Sequence, residues 1–135
     1  MSKYLDRARE VRAIQEVHYN CTQGVLVAFA DALGVDEDIL FRIGADFGKG
    51  MRVGSVCGAV TGALMVLGLA GIDDAAVVQK LFRAVRDHHE GCVDCKDLLR
   101  MNADTGIPNS QHCDGMVFEL VELTEQILRE HGKIE

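Results

Sequence analysis

The sequence predicts an all-α fold, a compact bundle of about five to six helices around a glycine-rich central helix. Three observations carry this. A single proline interrupts 135 residues, so few positions forbid helix continuation. Ala, Leu, Val and Glu are frequent, aromatic residues make up 5%, and tryptophan is absent; such a composition favours helices over a strand-rich sandwich or barrel. Asn, Asp or Ser also stands ahead of most of the apolar, helically spaced runs, where an N-cap belongs.

Residues 3–17, with Leu5, Ala8 and Val11, read as a moderately amphipathic first helix. Asn20 caps a second over 21–33, whose run Val25-Leu26-Val27-Ala28-Phe29 predicts deep burial and which Gly34 stops. Asp36 caps a third over 37–47, with Ile39, Leu40, Ile43 and Phe47 on one face. Residues 44–54 then hold four glycines. Ser55 is the expected cap of a long apolar helix over 56–69, ended by Gly71. Asp73 is the expected cap of a fifth over 74–89. Gly91 breaks the chain before 92–99, a tract of one or two short helical turns. Residues 102–110 are a loop by composition. Ser110 is the expected cap of the last helix, 112–130, whose buried stripe includes Val117, Leu120, Val121, Thr124 and Leu128. No linker and no internal repeat divides the chain, which reads as one domain over 1–135.

Charge and hydropathy exclude two classes of partner. Fourteen Lys and Arg against twenty-one Asp and Glu give a net charge of −7, the wrong sign for a nucleic-acid binder. Residues 56–72 carry no charge over seventeen positions, but about twenty are needed to span a bilayer, and four of these are glycine. A buried helix is the better reading. Gly54, Gly58 and Gly62, four residues apart, let another helix approach closely; this spacing and the apolar excess leave a homodimer open. The first residues, Met1-Ser2-Lys3-Tyr4-Leu5-Asp6-Arg7, lack the apolar core and cleavage site of a secretion signal, so a cytoplasmic location is expected, where structural disulfides are uncommon.

Five cysteines carry the chemistry. Cys21 follows its cap Asn20, Cys57 stands two residues after Ser55, Cys95 follows Asp94, and Cys113 lies three residues after Ser110. All four are thus expected in the first turn of a helix, where unpaired N–H groups and the macrodipole favour thiolate over thiol. Thiolate is the form that binds metal, ligates iron–sulfur clusters or attacks a disulfide. Cys92 and Cys95 form a CxxC, either half of a metal site or a dithiol couple. Lys96 occupies the place a c-type haem motif gives to histidine, and no βαβ context supports a thioredoxin-like use. His88, His89 and His112 lie near these thiols, so a zinc site drawn from His89, Cys92, Cys95, Cys113 and His112 is one arrangement; each histidine, like His18, also reads as a solvated helix-end residue. The segment 44–49 fails as a P-loop because its glycine spacing is short and no Ser or Thr follows Lys49. The acidic last helix reads as a solvated face.

The segment Cys57-Gly58-Ala59-Val60-Thr61-Gly62 spells CGAxxG. With Cys21 before it and Cys95 and Cys113 after it, the chain resembles the redox-active family named for its C-GCAxxG-C-C pattern, from about residue 20 to 128. The resemblance assigns the redox thiols to Cys21, Cys57, Cys95 and Cys113, gives Gly58 and Gly62 a place beside them, and leaves Cys92 as an extra residue. Through a related domain in a split-Soret cytochrome, it implies a [2Fe–2S] cluster on the four thiolates. Haem does not carry over. Three functions remain open on the sequence: a cluster- or metal-binding electron carrier or redox sensor, with an unidentified redox partner protein; a metal-free thiol–disulfide oxidoreductase; and a helical module with structural zinc or merely buried cysteines.

Overall fold

The computed structural model describes residues 2–135, and among them every regular element is helical. Helix α1 (Lys3–Arg12) is capped by Ser2, whose Oγ accepts from the Leu5 N–H at 3.0 Å. Tyr4, Ala8 and Val11 share its inner face, with Tyr4 stacked on Phe29 at 4.8 Å. It ends short of the expected residue 17, because Arg12 turns inward there. Its Nε donates to Asp114 Oδ1 and its Nη1 to the Tyr19 carbonyl, both at 2.7 Å. The chain must fold back to present that carbonyl.

The expected second helix divides in two at Phe29, giving α2 (Cys21–Ala28) and α3 (Ala30–Leu33), the latter closed by Gly34 in the left-handed region at φ 66°. Asn20 and Gln23 form a capping box at the start of α2. Asp36 caps α4 (Glu37–Ile43), which stops at Gly44 rather than at residue 47. The glycine-rich stretch that follows is a single left-handed turn. Lys49, Gly50, Met51 and Arg52 have φ of 54°, 62°, 59° and 63°, closed by a Ser55 N–H to Gly50 O bond of 2.9 Å. Each non-glycine residue held this way costs about 1–2 kcal/mol.

Residues 55–57 then run extended beside 93–95. Cys57 N–H donates to Val93 O at 2.8 Å, and Cys95 N–H to Ser55 O at 2.7 Å, forming one antiparallel bridge. Helices α5 (Gly58–Leu69), α6 (Ala75–His88), α7 (Cys95–Ala103) and α8 (Asn109–Glu130) complete the chain. Cys57 itself, not Ser55, precedes α5, and Asp74, not Asp73, caps α6. The count of five to six helices is therefore exceeded, because short helices replace turns.

The core lies between α1, α2, α5 and α8. The innermost helix is α2: seven of its eight residues are buried, and α1, α4, α5 and α8 all pack on it. The glycine-rich α5 is its closest neighbour and not the sole centre, since Gly68 and Leu69 reach solvent. A Cβ on Gly62 would stand 2.8 Å from Thr22 O and 3.0 Å from Val25 Cβ, so this seam requires glycine. Thr22 Oγ1 donates to Gly58 O at 2.8 Å, pinning the starts of α2 and α5 together. No described helix is long and apolar enough to cross a membrane.

Candidate functional site

The fold brings several helix starts to one place. Cys21 opens α2, Cys57 precedes α5, Cys95 opens α7, and α8 passes alongside with Cys113. The bridge between 55–57 and 93–95 ties Cys57 to Cys95, and the Thr22–Gly58 bond ties Cys57 to Cys21. All four sulfur-bearing residues line a single cavity of about 550 Å³. Apolar Leu98, Leu99 and Met116 share its wall, together with His18 and His112.

Three of the four cysteines occupy the helix starts expected from sequence; Cys113 does not. Helix α8 begins at Asn109 after Pro108, whose carbonyl accepts from Gln111 and His112, so Cys113 is the fifth residue of the helix, beyond its unpaired N–H groups. Its acidity has another source. The Cys113 thiol is pulled down to about 7, first by a hydrogen bond from Cys21, with the Arg12 guanidinium and Lys49 also favouring its thiolate; burial and Asp114 oppose them. Cys21, the donor, is driven far above the ordinary thiol range by that same bond, by burial and by the neighbouring sulfurs.

The expectation that a helix start makes a thiolate is overturned at Cys57 and Cys95. Cys57 is 5% exposed, and burial pushes it up to about 11 although the first-turn N–H groups of Ala59 and Val60 act against this. Cys95 is also raised by burial, then by Cys113, with Lys49 opposing. Removing a charge from water outweighs the partial charges of a helix end.

Cys92 stands apart. It is half-buried against the core and absent from the cavity wall. His89 Nε2 and His88 Nδ1 meet Glu119 at 2.8 and 3.3 Å, while His112, lowered by burial and by His89, lines the cavity. The set His89, Cys92, Cys95 and Cys113 is therefore not assembled at one point. Among the described residues, no three His, Cys, Asp or Glu side chains converge closely enough to hold a metal ion. Gly58 lies in the wall, against Cys21 Cβ at 3.2 Å measured from an added Cβ. Gly62 lies outside the wall, in the α2–α5 seam.

The wall also holds Arg12, Lys49, Arg52 and Lys96, which sequence reasoning did not assign. Glycines flanking Lys49 were the available signal. A Cβ on Gly48 would meet Asn20 at 2.7 Å, and one on Gly50 would meet Ser55 O at 2.2 Å, so the turn that presents Lys49 and Arg52 needs both.

A family model described as "Putative redox-active protein (C_GCAxxG_C_C)" matches residues 19–127, well over half of the chain. The chain belongs to this family. In this C_GCAxxG_C_C protein the matched span contains all four cavity cysteines and the CGAxxG segment, and leaves out the whole of α1. No curated protein and no solved structure matches the chain.

Proposed function

We propose that this redox-active protein works by thiol–disulfide exchange at Cys113 and Cys21. The observation that carries the reading is that Cys21 and Cys113 line one open cavity and each shifts the other's acidity, with Arg12 beside the sulfur that ionises. A thiolate titrating near ambient pH is the best attacking thiol, because it is both populated and still nucleophilic. In the exchange the Cys113 thiolate attacks one sulfur of a disulfide, R–S–S–R, and one RS⁻ leaves with the electron pair. Cys21 then passes its proton to that thiolate and attacks the Cys113 sulfur. A Cys21–Cys113 disulfide forms and the second RS⁻ departs, so two electrons have moved from protein to substrate. An external dithiol reverses the sequence. Cys57 and Cys95, both held as thiols by burial, stand in reserve.

A second reading has its own support. Four soft sulfur donors and four cations around one cavity match the donor set and charge balance of a [2Fe–2S] centre, held by Cys21, Cys57, Cys95 and Cys113. Such a cluster would supply one-electron transfer. It requires the four thiols to draw together, since no three now converge. Zinc on the same thiolates faces the same requirement.

Anaerobic purification followed by metal analysis and mild oxidation separates these readings. Colourless, metal-free protein in which Cys21 and Cys113 become the linked pair supports exchange. Brown protein with about two irons per chain replaces it with the cluster, and stoichiometric zinc with inert thiols replaces both.

A further inference from the structure

The cavity is cationic in an acidic protein. The chain carries a net charge of −7, yet the cavity wall contains Arg12, Lys49, Arg52 and Lys96 and no Asp or Glu. Two of these cations are engaged: Arg12 by Asp114 at 2.7 Å and Arg52 by Asp46 at 3.0 Å. Among the described residues, Lys49 and Lys96 have no carboxylate within 4.0 Å. Their positions are built in by the backbone. Lys49 sits in the left-handed turn at φ 54° between two glycines that admit no side chain. Lys96 follows Cys95 at the start of α7, where its side chain packs on Gly54, 3.1 Å from where a Cβ would stand. The turn and α7 are thereby locked together; both lysines line the same cavity as Cys113, and the Lys49 charge acts on the Cys113 and Cys95 thiols. Sustaining left-handed backbone at Lys49, Met51 and Arg52 is costly, and local strain of this kind is retained where it positions working groups.

We propose that the cavity selects small anionic disulfides, with Lys49 and Lys96 holding a substrate carboxylate while the S–S bond meets Cys113. This rests on the exchange reading given above. The cations meet the carboxylate, and Leu98, Leu99 and Met116 meet the apolar body of the molecule. The electron balance is that of the exchange itself: the substrate S–S bond breaks, the Cys21–Cys113 bond forms, and both halves leave as thiols.

The test uses the full chain carrying Cys92→Ser and three disulfide probes: the dianion 5,5′-dithiobis(2-nitrobenzoate), neutral 2-hydroxyethyl disulfide and dicationic cystamine. Each rate is divided by that probe's rate with 2-mercaptoethanol, and the Cys113 adduct and the Cys21–Cys113 disulfide are mapped by mass spectrometry. The overall negative charge would favour cystamine, so the whole-molecule field predicts the opposite order. The expected result is a normalised preference of about tenfold or more for the dianion at low salt, fading towards parity at about 0.5 M salt. The double variant Lys49→Asn, Lys96→Gln should reduce the preference to within about threefold; asparagine is chosen because it tolerates left-handed backbone. Using a ratio cancels any change in thiol reactivity itself. A wild-type ratio near one, or a ratio unchanged in the double variant, overturns the proposal. Should every probe oxidise the pair equally well, anion selection falls and exchange stands. Should no probe yield the Cys21–Cys113 disulfide, exchange itself falls and anion selection with it.

Discussion

Oxidation of Cys21 and Cys113 should stabilise the fold by an amount the chain path determines. The two thiols line the same cavity and each shifts the other's acidity, so a bridge would join the start of α2 to the first turns of α8. It would close a loop of roughly 90 residues, which in the chain-entropy account removes about 4–5 kcal/mol from the unfolded state. With an unfolding entropy of about 2.1 cal/mol/K per residue, this raises the melting temperature by roughly 15 °C, less whatever strain the bridge introduces. The measurement compares thermal melts of reduced protein with protein oxidised and freed of oxidant, alongside Cys21→Ser and Cys113→Ser and with peptide mapping of the bridge. Both single variants should lose the oxidation-dependent rise, whereas Cys92→Ser should keep it. Equal melting temperatures in the two redox states, or a mapped bridge joining other cysteines, would refute the pairing.

Cys113 should react with iodoacetamide along a pH profile centred at about 7. The sign follows from its cause: the thiolate is the stabilised form, so the rate rises through that pH and saturates above it, and Cys21→Ala or Arg12→Met should move the midpoint upward. Cys57, by contrast, should stay unreactive until about pH 11. Gly62→Ala should cost about 1–3 kcal/mol in urea unfolding, because its methyl would press on Thr22 O at 2.8 Å; a loss under half that would mean the α2–α5 seam yields.

The all-helical class and the list of cavity cysteines were legible in the chain because both are local or enumerable. Asn20, Asp36 and Gly34 act within a few residues of where they stand, and their roles as caps and stop are observed. Boundaries read less well where a distant group intervenes. Helix α1 stops because Arg12 reaches Asp114, about a hundred residues away. Helix α8 starts early because Pro108 accepts its first bonds, and that shift takes Cys113 off the helix end where the sequence places it.

Composition and short-range pattern by themselves determined that this chain is helical and that it buries a glycine-bearing helix, while the family resemblance singled out Cys21, Cys57, Cys95 and Cys113 and left Cys92 as an extra residue. Tertiary structure alone decided which thiol is acidic. Burial raises Cys57 and Cys95, and only the meeting of α1, α2 and α8 places Cys21 and Arg12 beside Cys113. Thiol acidity is the balance of desolvation against neighbouring charges, and both depend on residues far apart in sequence that the fold brings within a few ångströms.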